Sequence, residues 1–294
     1  MSVHPPHIEC LPESPAPAKS WPGAKMLTGG KAYFSAPLGQ LHYRDMGPRD
    51  ARHTMLLLHQ SPASMIEFGT MQTVLAARGI RSIIADTPGY GMSDQPDCLP
   101  SIGGFADNLV PLLDHLGLAQ VVVGGHHTGA SIAAALAARY PGRVAGLVLH
   151  GCPLYSAEYA EICRARPEWS RTPVRDGSHL SQIFSKKIEM RNEGDWMTYT
   201  WMSALMFLQG QDIGHWAVNR HDLAADLLRV RAPTLIITDE DDVTHKMDQA
   251  THALRPDFLY RVLSTQGMGT SAVMTAPERW ADVAQVLLDA IPAA

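Results

Sequence analysis

The stretch Val121–Ala130, with the sequence VVVGGHHTGA, decides the fold of this chain. Three β-branched residues predict a buried strand, the glycines predict a tight turn, and the alanine-rich run from Thr128 to Tyr140 predicts a helix. Glycines flank the turn because two backbones that pass so closely leave no room for a Cβ atom. A strand that turns this sharply into a helix directs one side chain at the top of the sheet, beside the helix N-terminus.

The turn itself, Gly125–Gly129, matches the pattern small–x–nucleophile–x–small of a nucleophile elbow. The nucleophile position holds His127, where the pattern expects serine, aspartate or cysteine. An imidazole at this position can act as an acid or a base, although it cannot follow the usual acyl-enzyme route through serine. The alternative interpretation is a degenerate turn in a protein that no longer catalyses a reaction.

Outside this turn, apolar strands alternate with amphipathic helices along most of the chain. The sequence predicts a hairpin at 31–35 and 40–45, and strands at 54–59, 80–86, 144–149, 233–238 and 258–263. This alternation predicts an α/β fold with a doubly wound, mostly parallel sheet. Pro111 lies inside the helical pattern that Ser101 can cap, so we expect a kink or a later helix start there.

Residues 153–228 differ in character from the rest of the chain. They hold four of the six tryptophans and show helical patterns without a clear strand, which predicts a helical cap on a core made of 26–152 and 229–294. Residues 1–25 contain six prolines and predict an irregular N-terminal arm. Most cap aromatic residues are expected to pack in the core of the cap. Some of a set of four are expected to face the cleft as substrate contacts, which favours a small apolar substrate: Trp196, Tyr199, Trp201 and Trp216.

The composition excludes several classes of partner. A formal net charge of -5 shows no basic excess, so neither nucleic acid nor an anionic membrane is expected as a partner. No apolar run is long enough to span a bilayer, and the N-terminus lacks the pattern of a secretory signal. The four cysteines are scattered, which predicts free thiols in a reducing compartment. We therefore expect a cytoplasmic protein that acts on a small molecule, with a homodimer left open.

Three further motifs join the central turn: the loop Asp86–Ser93 (DTPGYGMS), the turn His59–Pro62 (HQSP) and the acidic loop Thr238–Asp242 (TDEDD). With Val121–Ala130 they occur in the order and at the spacing found in α/β-hydrolase-fold proteins, and the resemblance covers roughly residues 30–292. The chain resembles the capped subgroup that includes epoxide hydrolases, haloalkane dehalogenases and C–C bond hydrolases. This resemblance implies an enzyme that acts on small molecules.

The resemblance also assigns the members of the catalytic triad. The family's acid follows the strand that ends at Thr238, where Asp242 matches best and Asp241 is the alternative. The family's histidine follows a Gly-x-Gly turn before a helix that begins Ala-Pro-Glu. Here that turn is Gly267–Gly269, and Thr270 stands in the place of the histidine. Both the nucleophile and its base have therefore changed, while an acid remains.

The two changes have opposite effects on side-chain length, since His127 is longer than the usual nucleophile and Thr270 is shorter than the usual histidine. Because the elbow side chain is long and residue 270 is short, the imidazole of His127 is expected to reach Asp242 directly, with Thr270 as a hydrogen-bond partner. Such a His–Asp dyad would fix the imidazole tautomer and stabilise the imidazolium. His245 follows Asp242 closely in the sequence and is an alternative base.

Family position predicts the remaining site residues. The backbone N–H groups of Gln60 and Thr128 are expected to form the oxyanion hole. His59 and Ser61 are expected to lie against the substrate. His126 is expected to point away from its neighbour and to have a structural role. Adjacent histidines do not easily chelate one metal and no ligand set with zinc spacing is present, so no metal or cofactor is predicted.

Three functions follow from these residues. The first is hydrolysis of an ester, lactone or related bond by water that the His–Asp dyad activates. The second is a cofactor-free lyase, cyclase or oxygenase, in which His127 deprotonates the substrate and the oxyanion hole holds an enolate. The third is a ligand-binding protein that has lost catalysis. Turnover of an activated ester, as opposed to ligand-induced stabilisation without turnover, separates enzyme from binding protein.

Overall fold

The computed structural model describes residues 30–165, 175–178, 181, 213–263 and 272–292. Within these ranges one sheet contains eight strands: β1 Lys31–Ala36, β2 Gly39–Met46, β3 Thr54–Leu58, β4 Arg81–Ala85, β5 Val121–His126, β6 Val144–His150, β7 Thr234–Asp239 and β8 Leu259–Leu263. Their order across the sheet is β1-β2-β4-β3-β5-β6-β7-β8. The pairs β1–β2 and β2–β4 are antiparallel and the others are parallel. The predicted α/β fold with a mostly parallel sheet is confirmed.

Helices of the described residues follow the strands from β3 onwards, and the last two come after β8: α1 Gly69–Ala77, α2 Ile102–His115, α3 Thr128–Arg139, α4 Ala157–Ala165, α5 Ile213–Val218, α6 Leu223–Arg229, α7 His245–Leu254, α8 Ala272–Thr275 and α9 Pro277–Ala290. The expectation that Pro111 delays α2 is wrong, because the hydroxyl of Ser101 accepts a hydrogen bond from the Gly104 N–H and starts the helix at Ile102. None of the helices in the described ranges has the length and apolar character that a bilayer span requires.

The predicted cap and arm are only partly covered by the described residues. Helices α4, α5 and α6 fall inside 153–228, and the described residues of this segment form no strand. The remainder of the cap and the whole of the arm, 1–25, lie outside the described residues. The boundaries 26–152, 153–228 and 229–294 therefore stay predictions.

The core has two apolar layers, one on each face of the sheet. Along β5, Val121 and Val123 belong to the layer that contains α2, α3, α5 and α6. Val122 belongs to the opposite layer, which contains α1, α8 and α9. This alternation is the period of two that a strand imposes on its side chains. A sheet covered on both faces is open to a ligand at the carboxyl ends of its strands.

Asp86 fixes the loops at one end of this sheet. Its carboxylate accepts hydrogen bonds from the backbone N–H groups of Met65 (2.6 Å) and Met92 (3.0 Å), and lies 2.8 Å from Nδ1 of His42. A Cβ atom on Gly91 would lie 2.2 Å from the carboxylate carbon, so this position requires glycine. The carboxylate thereby holds the 3₁₀ turn that precedes α1 against the end of β4.

Candidate active site

The strand-to-helix turn has the tight geometry that its glycines predict. His127 is the one non-glycine residue in the described part of the chain with a left-handed φ, at +49°. A Cβ atom on Gly125 would lie 2.2 Å from the carbonyl oxygen of Gly129, and one on Gly129 would lie 2.0 Å from that of Leu58. Helix α3 begins at Thr128, as predicted. A strained backbone that the surrounding structure enforces is a common feature of functional sites.

His127 contacts Asp242. Its Nε2 lies 3.0 Å from both carboxylate oxygens. The Asp242 side chain is fully buried, whereas that of His127 is 15% exposed. The Oδ1 atom of Asp242 also accepts hydrogen bonds from the N–H and the hydroxyl of Thr244, at 2.8 Å each. Asp241, the alternative acid, is exposed. The contact expected between residues 127 and 242 is therefore present.

The electrostatics of this pair favour its charged form. Burial alone would lower the pKa of His127, but the charge of Asp242 and the hydrogen bond to it raise that pKa above its usual value. Burial alone would raise the pKa of Asp242, but the charge of His127 and the hydrogen bond from it hold that pKa well below its usual range. Asp242 is thus a carboxylate, and the Nε2 of His127 carries the hydrogen that it accepts. The other ring nitrogen, Nδ1, is then the basic atom.

A second carboxylate–histidine pair lies beside the first. Glu67, on the 3₁₀ turn Met65–Phe68, is buried, and its Oε1 lies 2.6 Å from Nδ1 of His126. Burial would raise the pKa of Glu67, but His126 and the backbone N–H of Gln60 outweigh it and lower that pKa to about 2. Glu67 is therefore ionised throughout the neutral range.

Glu67 also changes the expected oxyanion hole. The backbone N–H of Gln60 donates to Oε2 of Glu67 at 2.9 Å, and its side-chain amide donates to Oε1 at 2.7 Å. The prediction that the Gln60 N–H faces an oxyanion is wrong, because the buried carboxylate takes both donors of this residue. Thr128 differs, since its N–H belongs to the first turn of α3, where backbone donors have no partner within the helix.

His126 and His150 complete a cluster of imidazoles. The ring of His126 lies 4.3 Å from that of His127 and 4.6 Å from that of His150, measured between centroids. The expectation that His126 points away from its neighbour is wrong, because the left-handed backbone of His127 interrupts the alternation of the strand. Burial lowers the pKa of His126 and lowers that of His150 well below its usual value, so both rings are neutral.

Two residues that are predicted to contact the substrate, His59 and Ser61, are buried among other groups of the protein. His59 is buried, its Nδ1 donates to the Gln60 carbonyl (2.7 Å), and its Nε2 accepts from the Thr87 N–H (3.0 Å). Both ring nitrogens are therefore occupied by protein groups, and a contact between His59 and the substrate stays a prediction. Ser61 is buried too, and a Cβ atom on Gly214 would lie 2.0 Å from its hydroxyl oxygen. The Ser61 hydroxyl thus packs beneath α5.

The other candidates divide into described and undescribed residues. Trp216 is half-buried on α5, with the Arg220 guanidinium 3.2 Å from its ring centroid. His245, the alternative base, has its ring nitrogens 3.0 Å from the Thr238 hydroxyl and from the Gln249 amide. It is therefore not placed as the base of the site. Four predicted site residues lie outside the described residues: Thr270, Trp196, Tyr199 and Trp201.

Sequence reasoning missed two residues that shape the site. Glu67 is a single acid within the apolar run Met65–Phe68, and such an acid on a buried turn is a signal that could have identified it. Gly151 follows β6 with φ +70°, and a Cβ atom there would lie 2.2 Å from Cδ2 of His127. Only glycine leaves room for the imidazole at this point, and nothing in the local sequence indicates this.

Comparison with known proteins matches the chain to one fold family. The family model for the alpha/beta hydrolase fold matches residues 53–262. A 2-hydroxy-6-oxononadienedioate/2-hydroxy-6-oxononatrienedioate hydrolase of Pseudomonas putida is 38% identical over 116 residues, which are 38% of this chain and 40% of that protein. A haloalkane dehalogenase of Mycolicibacterium paratuberculosis is 34% identical over 112 residues, 37% of each protein. The matched region thus spans well under half of either relative.

Solved structures show the same fold over a longer part of the chain. The enol-lactonase of Burkholderia xenovorans LB400 superposes with a TM-score of 0.69 at 17% sequence identity, covering 88% of this chain and 100% of that one. E-2-(Acetamidomethylene)succinate hydrolase superposes with a TM-score of 0.70 at 19% identity, covering 88% and 98%. At this level of identity the likeness establishes the fold.

Proposed function

The chain belongs to the α/β-hydrolase fold family, and from that premise we propose that it hydrolyses an ester, lactone or related bond of a small apolar molecule. One observation carries the proposal: Nε2 of His127, at the elbow, lies 3.0 Å from both carboxylate oxygens of Asp242. An imidazole whose tautomer a carboxylate fixes is a general base suited to neutral pH. The names of similar proteins, which include hydrolases of an oxo-acid and of an enol lactone, support a carbonyl substrate.

In the proposed reaction, Asp242 accepts the Nε2 hydrogen of His127 and leaves Nδ1 free to take a proton from water. The resulting hydroxide attacks the carbonyl carbon, and the Thr128 N–H at the start of α3 stabilises the oxyanion that forms. When the intermediate collapses, the imidazolium returns its proton to the leaving group. One water molecule is added across the bond, and the enzyme ends in its starting state.

The site supports this route better than a covalent one. The elbow side chain is an imidazole, and the hydroxyl of Ser61 packs beneath α5 against Gly214. Neither His59 nor His245 is free to activate that hydroxyl, because the ring nitrogens of both are occupied. We therefore assign the reaction to activated water.

We also propose that the protein works in a reducing compartment, because its cysteines are scattered and those in the described residues are free thiols.

The test compares the wild type with His127→Ala and Asp242→Asn on p-nitrophenyl esters and aromatic lactones. A positioned general base contributes about 10²–10⁴-fold in rate, so His127→Ala should lower kcat by that factor with little change in KM. Asp242→Asn should also be slow, because an amide cannot stabilise the imidazolium. His245→Ala is the matched control, since its ring is bound to Thr238 and Gln249, and it should turn over at the wild-type rate.

The product separates hydrolysis from the two rival functions. In water labelled with oxygen-18, hydrolysis places one solvent oxygen in the product, whereas a lyase or cyclase that only moves a proton places none there. If His127→Ala retains the wild-type rate, the histidine is not the base. If the wild type binds aromatic esters tightly, shown by a raised Tm, but converts none of them, the ligand-binding interpretation is correct.

A further inference from the structure

Three buried atoms that carry lone pairs lie close together next to His127. A ring nitrogen of His126, a ring nitrogen of His150 and a carboxylate oxygen of Asp242 all lie within 4.8 Å of one another. No more than 6% of any of these three residues is exposed. The residues come from the ends of β5 and β6 and from the loop after β7, which the parallel sheet brings to one edge. We call them the His126–His150–Asp242 cluster.

The hydrogen bonds of this cluster are incomplete. Nδ1 of His126 lies 2.6 Å from the ionised Glu67, so it carries the hydrogen, and Nε2 of the same ring carries a lone pair. That Nε2 has no hydrogen-bond partner among the described residues, and it lies 4.0 Å from Oδ2 of Asp242, which is also an acceptor. Neither ring nitrogen of His150 has a partner within the described ranges. A buried polar atom without a partner destabilises the folded state, so a bound group at this point would be favourable.

We propose that the His126–His150–Asp242 cluster binds one divalent transition-metal ion of the Zn²⁺ or Fe²⁺ class. Two neutral imidazoles and one carboxylate are the ligand set that these ions use in proteins when they also keep an open position. Ligand bonds of about 2.0–2.2 Å in a tetrahedral site place donor atoms about 3.3–3.6 Å apart. The cluster therefore closes by at most about 1.5 Å when an ion enters.

The surrounding residues already hold the ligands in the required orientation. A histidine that binds a metal usually donates its other ring hydrogen to a carboxylate, and Glu67 provides that carboxylate for His126 at 2.6 Å. The N–H and hydroxyl of Thr244 hold Oδ1 of Asp242 at 2.8 Å. Its Oδ2 atom is the one that faces His126. Asp242 can thus bind the ion through Oδ2 while His127 keeps its contact with the same carboxylate.

The direct test is equilibrium metal binding by the full-length protein after treatment with a chelator. Co²⁺, followed by its visible absorption, and Zn²⁺, followed by calorimetry, should each bind with one ion per chain. His150→Leu, which removes a ligand that makes no hydrogen bond to a described residue, should weaken binding at least about 100-fold. Glu67→Gln should weaken it by about 10–100-fold, the effect typical of residues that orient ligands.

His53→Leu is the matched control. His53 is also a buried histidine, but it precedes β3, beside Arg52, outside the cluster. It should bind both ions like the wild type. The Tm of the wild type should rise with Zn²⁺ and fall again with chelator, whereas the Tm of a folded His150→Leu should not respond, which keeps the test valid if that variant is less stable.

The proposal is overturned if the chelator-treated wild type takes up neither ion with one-to-one stoichiometry. It is also overturned if His150→Leu binds as tightly as the wild type, because the ions would then occupy some other histidines. Binding is measured without a substrate, so it does not depend on the proposed function. Turnover of the chelator-treated protein, recorded in parallel, shows whether the His127–Asp242 pair acts with or without the ion.

Discussion

At the scale of single residues, the site depends on how little space surrounds the imidazole of His127. Its left-handed backbone directs the ring past Gly151 towards Asp242, which lies 115 positions later in the chain. A serine at the same elbow would be too short to reach that carboxylate. The change of one residue type at position 127 thus creates a direct contact between the elbow and the acid, and the missing side chain at position 151 makes room for it.

Replacing Gly151 should displace this ring. In Gly151→Ala the new Cβ atom would lie 2.2 Å from Cδ2 and 2.6 Å from Nε2 of His127, so one of the two groups must move. We expect kcat to fall at least about 10-fold, within the range that a misplaced base allows. Gly79→Ala is the control for backbone strain alone, because Gly79 has a similar φ of +75° with open space around it. A Gly151→Ala enzyme with wild-type kcat would contradict the assigned position of the base.

Asp248 makes the stability of the fold depend on pH between about 4 and 7. It is fully buried, and burial outweighs its 2.6 Å hydrogen bond from the Cys152 N–H and raises its pKa to about 7. An unfolded aspartate has a pKa of about 3.9. The folded state therefore binds the proton of Asp248 more tightly than the unfolded state does. The stabilisation that this gives is complete below about pH 4 and is lost as the pH rises through about 7.

Asp248→Asn should remove this dependence, since an amide oxygen can still accept the Cys152 hydrogen bond. The free energy of unfolding is measured with urea at pH 5 and at pH 8. Its decrease from pH 5 to pH 8 should be larger in the wild type than in the variant, by an amount on the order of 2 kcal/mol. Asp50→Asn, a change at an exposed aspartate, should behave like the wild type. If the wild type and Asp248→Asn show the same change with pH, Asp248 titrates normally.

At the scale of elements, the strands and helices followed from local patterns that physical chemistry makes reliable. The sequence pattern predicted the ends of every strand outside the elbow to within a residue. For the central strands β3, β4, β6 and β7 the signal is a continuous apolar run, because these strands are buried on both faces. Gly125 and Gly129 predicted the elbow for a steric reason, since the crossing backbones exclude a Cβ atom. The expected contact between His127 and Asp242 depended on the family resemblance as well as on side-chain length.

The remaining features of the site could not be predicted because they depend on distant residues. The orientation of the Gln60 N–H is set by Glu67, which a separate turn carries into the core. The position of the His126 ring is set by the backbone of the next residue, which a strand pattern does not reveal. Whether a buried polar atom has a partner is a property of the assembled core, so the sequence could not reveal that Nε2 of His126 and both ring nitrogens of His150 have no partner among the described residues.

The packing of α3 against β3 gives a prediction for an element. Gly129→Ala would place a Cβ atom 2.0 Å from the Leu58 carbonyl oxygen, in the centre of the sheet, so α3 or β3 must shift. We expect the free energy of unfolding to fall by more than about 3 kcal/mol, as in severe overpacking. In urea denaturation the midpoint should move to a lower urea concentration. Gly142→Ala, at a glycine with no heavy atom within 4 Å of its Cβ position, should change the midpoint very little. A Gly129→Ala protein of wild-type stability would show that the elbow is loosely packed.

At the scale of the whole molecule, the site exists because one sheet joins four distant segments. Residues after β3, β5, β6 and β7 meet at the carboxyl ends of neighbouring parallel strands, which is where ligands bind in open α/β sheets. Both apolar layers contribute to holding those strands in register. Damage to either layer should therefore reach the site and the whole fold together.

Trp280 tests this cooperativity. It is the largest of the fully buried side chains described, and it packs from α9 into the layer that holds α1 and lies close to the Gly124 backbone of β5. Trp280→Ala should lower the free energy of unfolding by about 3–5 kcal/mol, the range found for large-to-small changes of buried aromatic residues. Because α9 and α3 cover opposite faces of the same strands, far-UV circular dichroism and activity should be lost in one shared transition. Val286→Ala, 41% exposed on the same helix, should shift that transition by less than about 0.5 kcal/mol. Two separate transitions in Trp280→Ala would show that the layer containing α9 can unfold while the rest of the sheet keeps the site intact.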